Sequence, residues 1–130
     1  MADTQAVILN YRQEAEYYFD EGCFINELSN SAADPQVSVA QARVAPGETT
    51  RWHALDGMTE RYVILAGSGL VEIGDDITET VSGGDVVIIP PGVRQRIANT
   101  AEGDLIFLAI CSPRFTASAY RDLDDKPATQ

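Results

Sequence analysis

Polar and apolar positions alternate with a period of two through most of this chain. In RQRIAN (94–99), Gln95 and Ile97 share one face while Arg94 and Arg96 take the other. In RWHAL (51–55), His53 and Leu55 point one way and Trp52 the other. That period belongs to extended strands, whose successive side chains leave opposite faces. Similar short runs are CFINEL, VSVAQARV, RYVILAG, GLVEIG, TETV, DVVIIP and DLIFLAIC, each rich in Val, Ile, Thr, Tyr or Phe. Turn residues separate them: Pro46-Gly47, Asp56-Gly57, Gly74-Asp75-Asp76, Gly83-Gly84, Pro90-Pro91-Gly92 and Glu102-Gly103-Asp104. Strands at this spacing, with no long helical pattern between them, predict an all-β antiparallel sandwich or barrel. DLIFLAIC departs from alternation, being apolar on both faces. Such a strand is covered twice, by the core and by a partner subunit, so a homodimer is expected.

The strand pattern occupies residues 22–112 and defines the barrel. Residues 1–21, which include the acidic and aromatic YRQEAEYYFDE, form an N-terminal arm with a helical turn or an irregular path. Residues 113–130 form a C-terminal extension that ends in a frayed tail.

Composition narrows the class of partner. With 130 residues and 45% hydrophobic content, the chain is long enough for one domain with its own core. Its formal net charge of −11 opposes binding to nucleic acid or to anionic membranes, both of which call for a basic surface. No apolar run is long enough for a transmembrane helix, and the start has no basic n-region, so a cytoplasmic setting is expected. Cys23 and Cys111 share no metal-binding spacing and read as buried thiols; a nucleophile pair would require one of them beside His53.

The chemistry gathers around the only histidine. Gly47, His53, Glu60 and Gly67 are spaced through PGETTRWHALDGMTERYVILAGSG, and Gly84, Pro90, Gly92, Gln95 and Asn99 through the later strands. In order and spacing these two motifs, which span residues 47–99, resemble those of the cupins. The resemblance implies a double-stranded β-helix, or jelly-roll, barrel. It also implies a metal site at the positions of His53, Leu55, Glu60 and Gln95. Here the family's second histidine is Leu55 and its third is Gln95, so only His53, Glu60 and the weak donor Gln95 remain. A set of this kind would hold a divalent metal (Zn, Mn, Fe or Ni) weakly.

Alternation places Tyr62 and Ile64 on the face of Glu60, and Ile97 on that of Gln95. The expected pocket is thus lined by Arg51, Leu55, Tyr62, Ile64 and Ile97 around His53, Glu60 and Gln95, and it is too apolar for bulky polar sugars. Arg51 either meets a ligand's carboxylate or phosphate or makes a surface ion pair. His53 and Glu60 are either metal ligands, an acid/base couple, or a structural buried pair. Two functional classes stay open: a metal-assisted enzyme of isomerase, lyase or oxygenase type acting on a small metabolite, and a metal-free binding or sensing module. A barrel whose pocket is merely packed is the third reading.

Overall fold

The computed structural model describes residues 5–124. Its strands are β1 (Tyr17–Phe19), β2 (Cys23–Ser29), β3 (Ser38–Val44), β4 (His53–Leu55), β5 (Thr59–Ala66), β6 (Ser68–Ile73), β7 (Ile77–Ser82), β8 (Val86–Ile89), β9 (Gln95–Asn99), β10 (Leu105–Ser112) and β11 (Tyr120–Asp122). They form two antiparallel sheets, ordered β1-β2-β3-β10-β5-β8 and β11-β4-β9-β6-β7. This is the expected all-β jelly-roll barrel.

Alternation explains the packing. Along β5, Glu60, Tyr62 and Ile64 are buried while Arg61 and Val63 are only partly covered. Along β9, Gln95, Ile97 and Asn99 are buried and Arg96 and Ala98 are less so. The inward residues of both sheets form one apolar cluster that includes Val44, Ile64, Val71, Ile89, Ile97, Leu105 and Phe107. Burial of this kind is the main favourable term for a barrel of this size.

Polar residues tie the two motifs together. Asn99 Nδ2 donates to the carbonyls of Val44 and Gly103, both at 2.8 Å, and its Oδ1 accepts from the Ala101 N–H. Thr50 Oγ1 accepts from the Ile97 N–H at 2.9 Å, which aligns the approach to β4 with β9. At the corner between β5 and β6, Gly67 has φ +82°, and a Cβ there would lie 2.6 Å from the Asp104 carbonyl oxygen. Only glycine suits both the left-handed backbone and that close approach.

The two ends of the chain do more than flank the barrel. Within the expected arm, Gln13–Ala15 makes a single 3₁₀ turn and β1 becomes the edge strand beside β2. Arg43 on β3 holds the stretch before β1 through Glu16, with Nη2 to Oε1 at 2.7 Å and Nε to Oε2 at 3.0 Å. After β10, residues 113–119 turn back and β11 pairs with β4, with Asp122 opposite His53 and Tyr120 opposite Leu55. The frayed tail expected at the end of the chain falls mostly outside the described residues.

Candidate functional site

His53 opens β4 and is 2% exposed. Its Nδ1 lies 2.8 Å from the Arg51 carbonyl oxygen, which can only accept, so Nδ1 donates and fixes the ring. That leaves Nε2 toward the interior, where Glu21 Oε1 stands 3.6 Å away, beyond hydrogen-bond reach. Tyr120 of β11 stacks on the imidazole, with ring centroids 5.1 Å apart and planes 16° from parallel.

Glu60, near the start of β5, is 8% exposed. Its Oε2 accepts a long contact from the Cys111 thiol at 3.9 Å, and its Oε1 is buried with no partner. Burial pushes its carboxyl group up from 4.5 to about 7; the neighbouring His53 charge pulls it down and the Glu21 charge adds to the rise. Tyr62 donates its hydroxyl to Gln95 Oε1 in a close contact, which leaves the buried Gln95 Nε2 without a partner. Neither Glu60 Oε1 nor Gln95 Nε2 has a well-formed hydrogen bond, yet the Gln95 amide stands near enough to Glu60 to favour its charged form.

Around these groups lies a cavity of ≈ 90 Å³. By the measure of about 10–15 Å³ per water, this has room for a small organic molecule of a few heavy atoms. Its polar wall includes His53, Glu60, Glu21 and Glu27, and its apolar wall Leu55, Tyr62, Phe107 and Tyr120. It continues outward into a vestibule of ≈ 520 Å³ that Arg114, Asn30 and Phe115 help to line.

Of the residues expected at the pocket, His53, Leu55, Glu60 and Tyr62 are brought together. Three are not. Ile64 and Ile97 are 1% and 0% exposed and belong to the central apolar cluster, beyond the cavity wall. Arg51 precedes the regular part of β4 and does not line the cavity; its Nε lies 3.0 Å from Asp122 Oδ2 on the neighbouring β11. Gln95 faces inward, but its amide is engaged by Tyr62 behind the cavity wall. Arg94 and Arg96 stack on the Trp52 ring at 4.2 and 4.4 Å on the outer surface, as alternation requires. Cys111 meets Glu60, not His53, and its thiol is pushed up to about 12, chiefly by burial and then by the Glu60 charge. It is no nucleophile at neutral pH.

Among the wall residues that escaped the sequence reading, Glu21 and Tyr120 stand beside His53. Glu21 stands in the β1–β2 turn, where its carbonyl accepts the Arg51 N–H at 2.7 Å and so reaches the neighbourhood of His53. Gly22 at φ +104° makes that turn, and the DEG triplet was the one local sign of it. Tyr120 lay in the expected extension, and nothing in its surroundings marked it.

A complete metal centre does not fit these residues. Leu55 offers no lone pair, and Gln95 spends its carbonyl oxygen on Tyr62 and presents a donor. Among the described residues no group of three or more His, Cys, Asp or Glu side chains is arranged to hold an ion. His53 and Glu60 alone fall short of the three or four ligands that such sites use.

Comparison with known proteins agrees with the fold. The model of the family described as "Cupin domain" matches residues 40–111. An uncharacterised protein of Methanocaldococcus jannaschii, MJ1618, is 29% identical over 118 residues, which cover 89% of this chain and 94% of that one. A predicted oxalate decarboxylase of Thermotoga maritima superposes with TM-score 0.64 at 27% identity, over 70% of this chain and 80% of its own. Pac13, a nucleoside dehydratase from Streptomyces, superposes with TM-score 0.73 at 16% identity, over 91% of this chain and 92% of its own. With both motifs, the sheet order and the family model in agreement, this chain belongs to the cupin family.

Proposed function

We propose that this cupin is a small-molecule enzyme that transfers a proton without a metal, with Glu60 as the acid/base and His53 as its partner across the cavity. The observation that carries this reading is Oε1 of Glu60, a buried carboxyl oxygen without a hydrogen-bond partner on a residue that lines the cavity. A group with its proton affinity near neutrality is suited to both giving and taking a proton. His53, with Nδ1 tied to a backbone carbonyl, presents Nε2 to the same space and holds or returns the second proton. The Gln95 amide, held by the Tyr62 hydroxyl, stands beside Glu60 and favours its charged form. The dehydratase among the structural neighbours supports proton-transfer chemistry on this scaffold, and the predicted decarboxylase supports a small substrate.

Exchange in heavy water tests the reading directly. Pools of small carbonyl and hydroxy compounds are incubated with the protein in D₂O, and proton NMR follows loss of C–H signal. Exchange that Glu60→Gln abolishes, while ligand binding persists, is expected. Ligands that bind yet never exchange would turn the pocket into a binding or sensing site. That second reading draws on the same cavity and on the absence of a full ligand set.

A further inference from the structure

The cavity has an unusual wall. Three carboxyl groups reach it, from Glu21, Glu27 and Glu60, and among the described residues no lysine or arginine lines it. Six aromatic rings share the lining: Tyr17, Phe19, Tyr62, Phe107, Phe115 and Tyr120. The rings brace one another, Phe19 edge-on to Tyr120 at 5.4 Å and Tyr62 tilted on Phe107 at 4.5 Å. Glu27 is fixed by the Tyr17 hydroxyl at 3.3 Å and the Asn30 amide at 2.9 Å. Deepest of the three, Glu60 keeps Oε1 unpartnered although the residue is more than nine-tenths buried.

Aromatic faces carry partial negative charge, and rings flanked by carboxylates attract an organic ammonium ion; here Tyr17 and Glu27 form the solvent-exposed rim and Glu60 the buried end. An anion would face three carboxyl groups and, among the described residues of the cavity wall, no compensating side chain other than His53, Arg114 standing further out in the vestibule. The net charge of −11 adds a long-range field that draws cations toward the protein. We infer that the ligand of this cupin is a small organic cation, an ammonium or alkylated ammonium compound, whose charged head sits among Glu21, Glu27, Glu60 and the aromatic rings. The inference rests on the cavity being the ligand site of the proposed enzyme and names the class of molecule it admits.

The test compares three molecules of one shape: choline, its neutral isostere 3,3-dimethylbutan-1-ol, and the anion 3,3-dimethylbutanoate. Affinities are read by NMR titration of the full chain at low and physiological ionic strength. Choline should bind at least tenfold more tightly than the alcohol, with the anion weakest. Tyr120→Leu and Glu21→Gln should each cost choline about tenfold while leaving the alcohol nearly unchanged. The alcohol control shows in each variant that the cavity still stands. Equal or tighter binding of the alcohol or the anion would overturn the inference, as would failure of all three to bind. Neither result touches the exchange experiment, which judges proton transfer separately.

Discussion

Glu60 is where a single side chain sets a property of the whole chain. In the unfolded state it titrates near 4.5, and in the folded protein near 7, because burial penalises its charged form. Below the lower value both states hold the proton. Between the two values the unfolded chain releases it while the native chain keeps it, so native stability falls as pH rises through this window. For a shift of this size the loss is about 3 kcal/mol, complete above the upper value. Glu60→Gln removes the titration. The variant should therefore gain stability over the parent by about that amount between pH 4.5 and pH 8, measured by urea unfolding across the range. A difference that stays flat with pH would contradict the buried, proton-holding carboxyl. The lost ligands make the second residue-scale prediction. Parent protein purified without tag or chelator should carry well under one metal per chain by mass spectrometry. Leu55→His combined with Gln95→His should raise zinc affinity by at least a hundredfold. His53, Leu55, Glu60 and Tyr62 were legible because motif spacing and strand alternation act locally. For Arg51 the sequence left a ligand contact and an ion pair both open, and the structure has the ion pair, because Arg51 lies ahead of the regular strand, where alternation no longer governs direction and Asp122 engages the guanidinium.

Elements differ in how much of their cause is local. Strands such as β5, β6, β9 and β10 carry several alternating or apolar residues between turn signals, and each stands in the fold where the pattern puts it. β1 and β11 have three residues each, YYF and YRD, too short for any period to show. They exist because edges of β2 and β4 offer hydrogen bonds, and those edges are products of the assembled sheets. Since these two elements bring Tyr17, Phe19 and Tyr120 to the cavity, half of its aromatic wall was hidden in the sequence for the same reason. The glycines test how strictly the corners between elements are set. Gly67→Ala faces both a positive φ and a backbone oxygen at 2.6 Å, whereas Gly84→Ala, at φ +93°, has nothing within 4 Å of the new Cβ. The backbone term alone costs about 1–3 kcal/mol. Urea midpoints should therefore fall for both variants and distinctly further for Gly67→Ala. Equal losses would mean that the approach to Asp104 relaxes freely.

At the scale of the whole molecule, the outer face of the six-stranded sheet exposes, among the described residues, apolar side chains toward its β8 edge. Register places Leu108, Val63 and Val86 in one row across β10, β5 and β8, and Ile110, Arg61 and Ile88 in the next. Val86 and Ile88 are 57% and 64% exposed, on a strand that is also the free edge of its sheet. Apolar edges of this kind are liabilities unless another chain meets them. We infer that a second copy does, giving a homodimer through this face. Two chains of charge −11 repel each other, so contact is favoured where carboxylates are absent, and these rows contain Arg61 as their one ionic group. Repulsion is screened by salt, and the dimer should tighten as ionic strength rises. Sedimentation equilibrium of the parent should give twice the chain mass. Val86→Lys with Ile88→Lys should give the single-chain mass with little change in thermal midpoint, because both side chains are solvent-exposed within one subunit. A parent that remains single at high protein and salt concentration would refute the dimer, and an unchanged mass in the double variant would move the interface elsewhere.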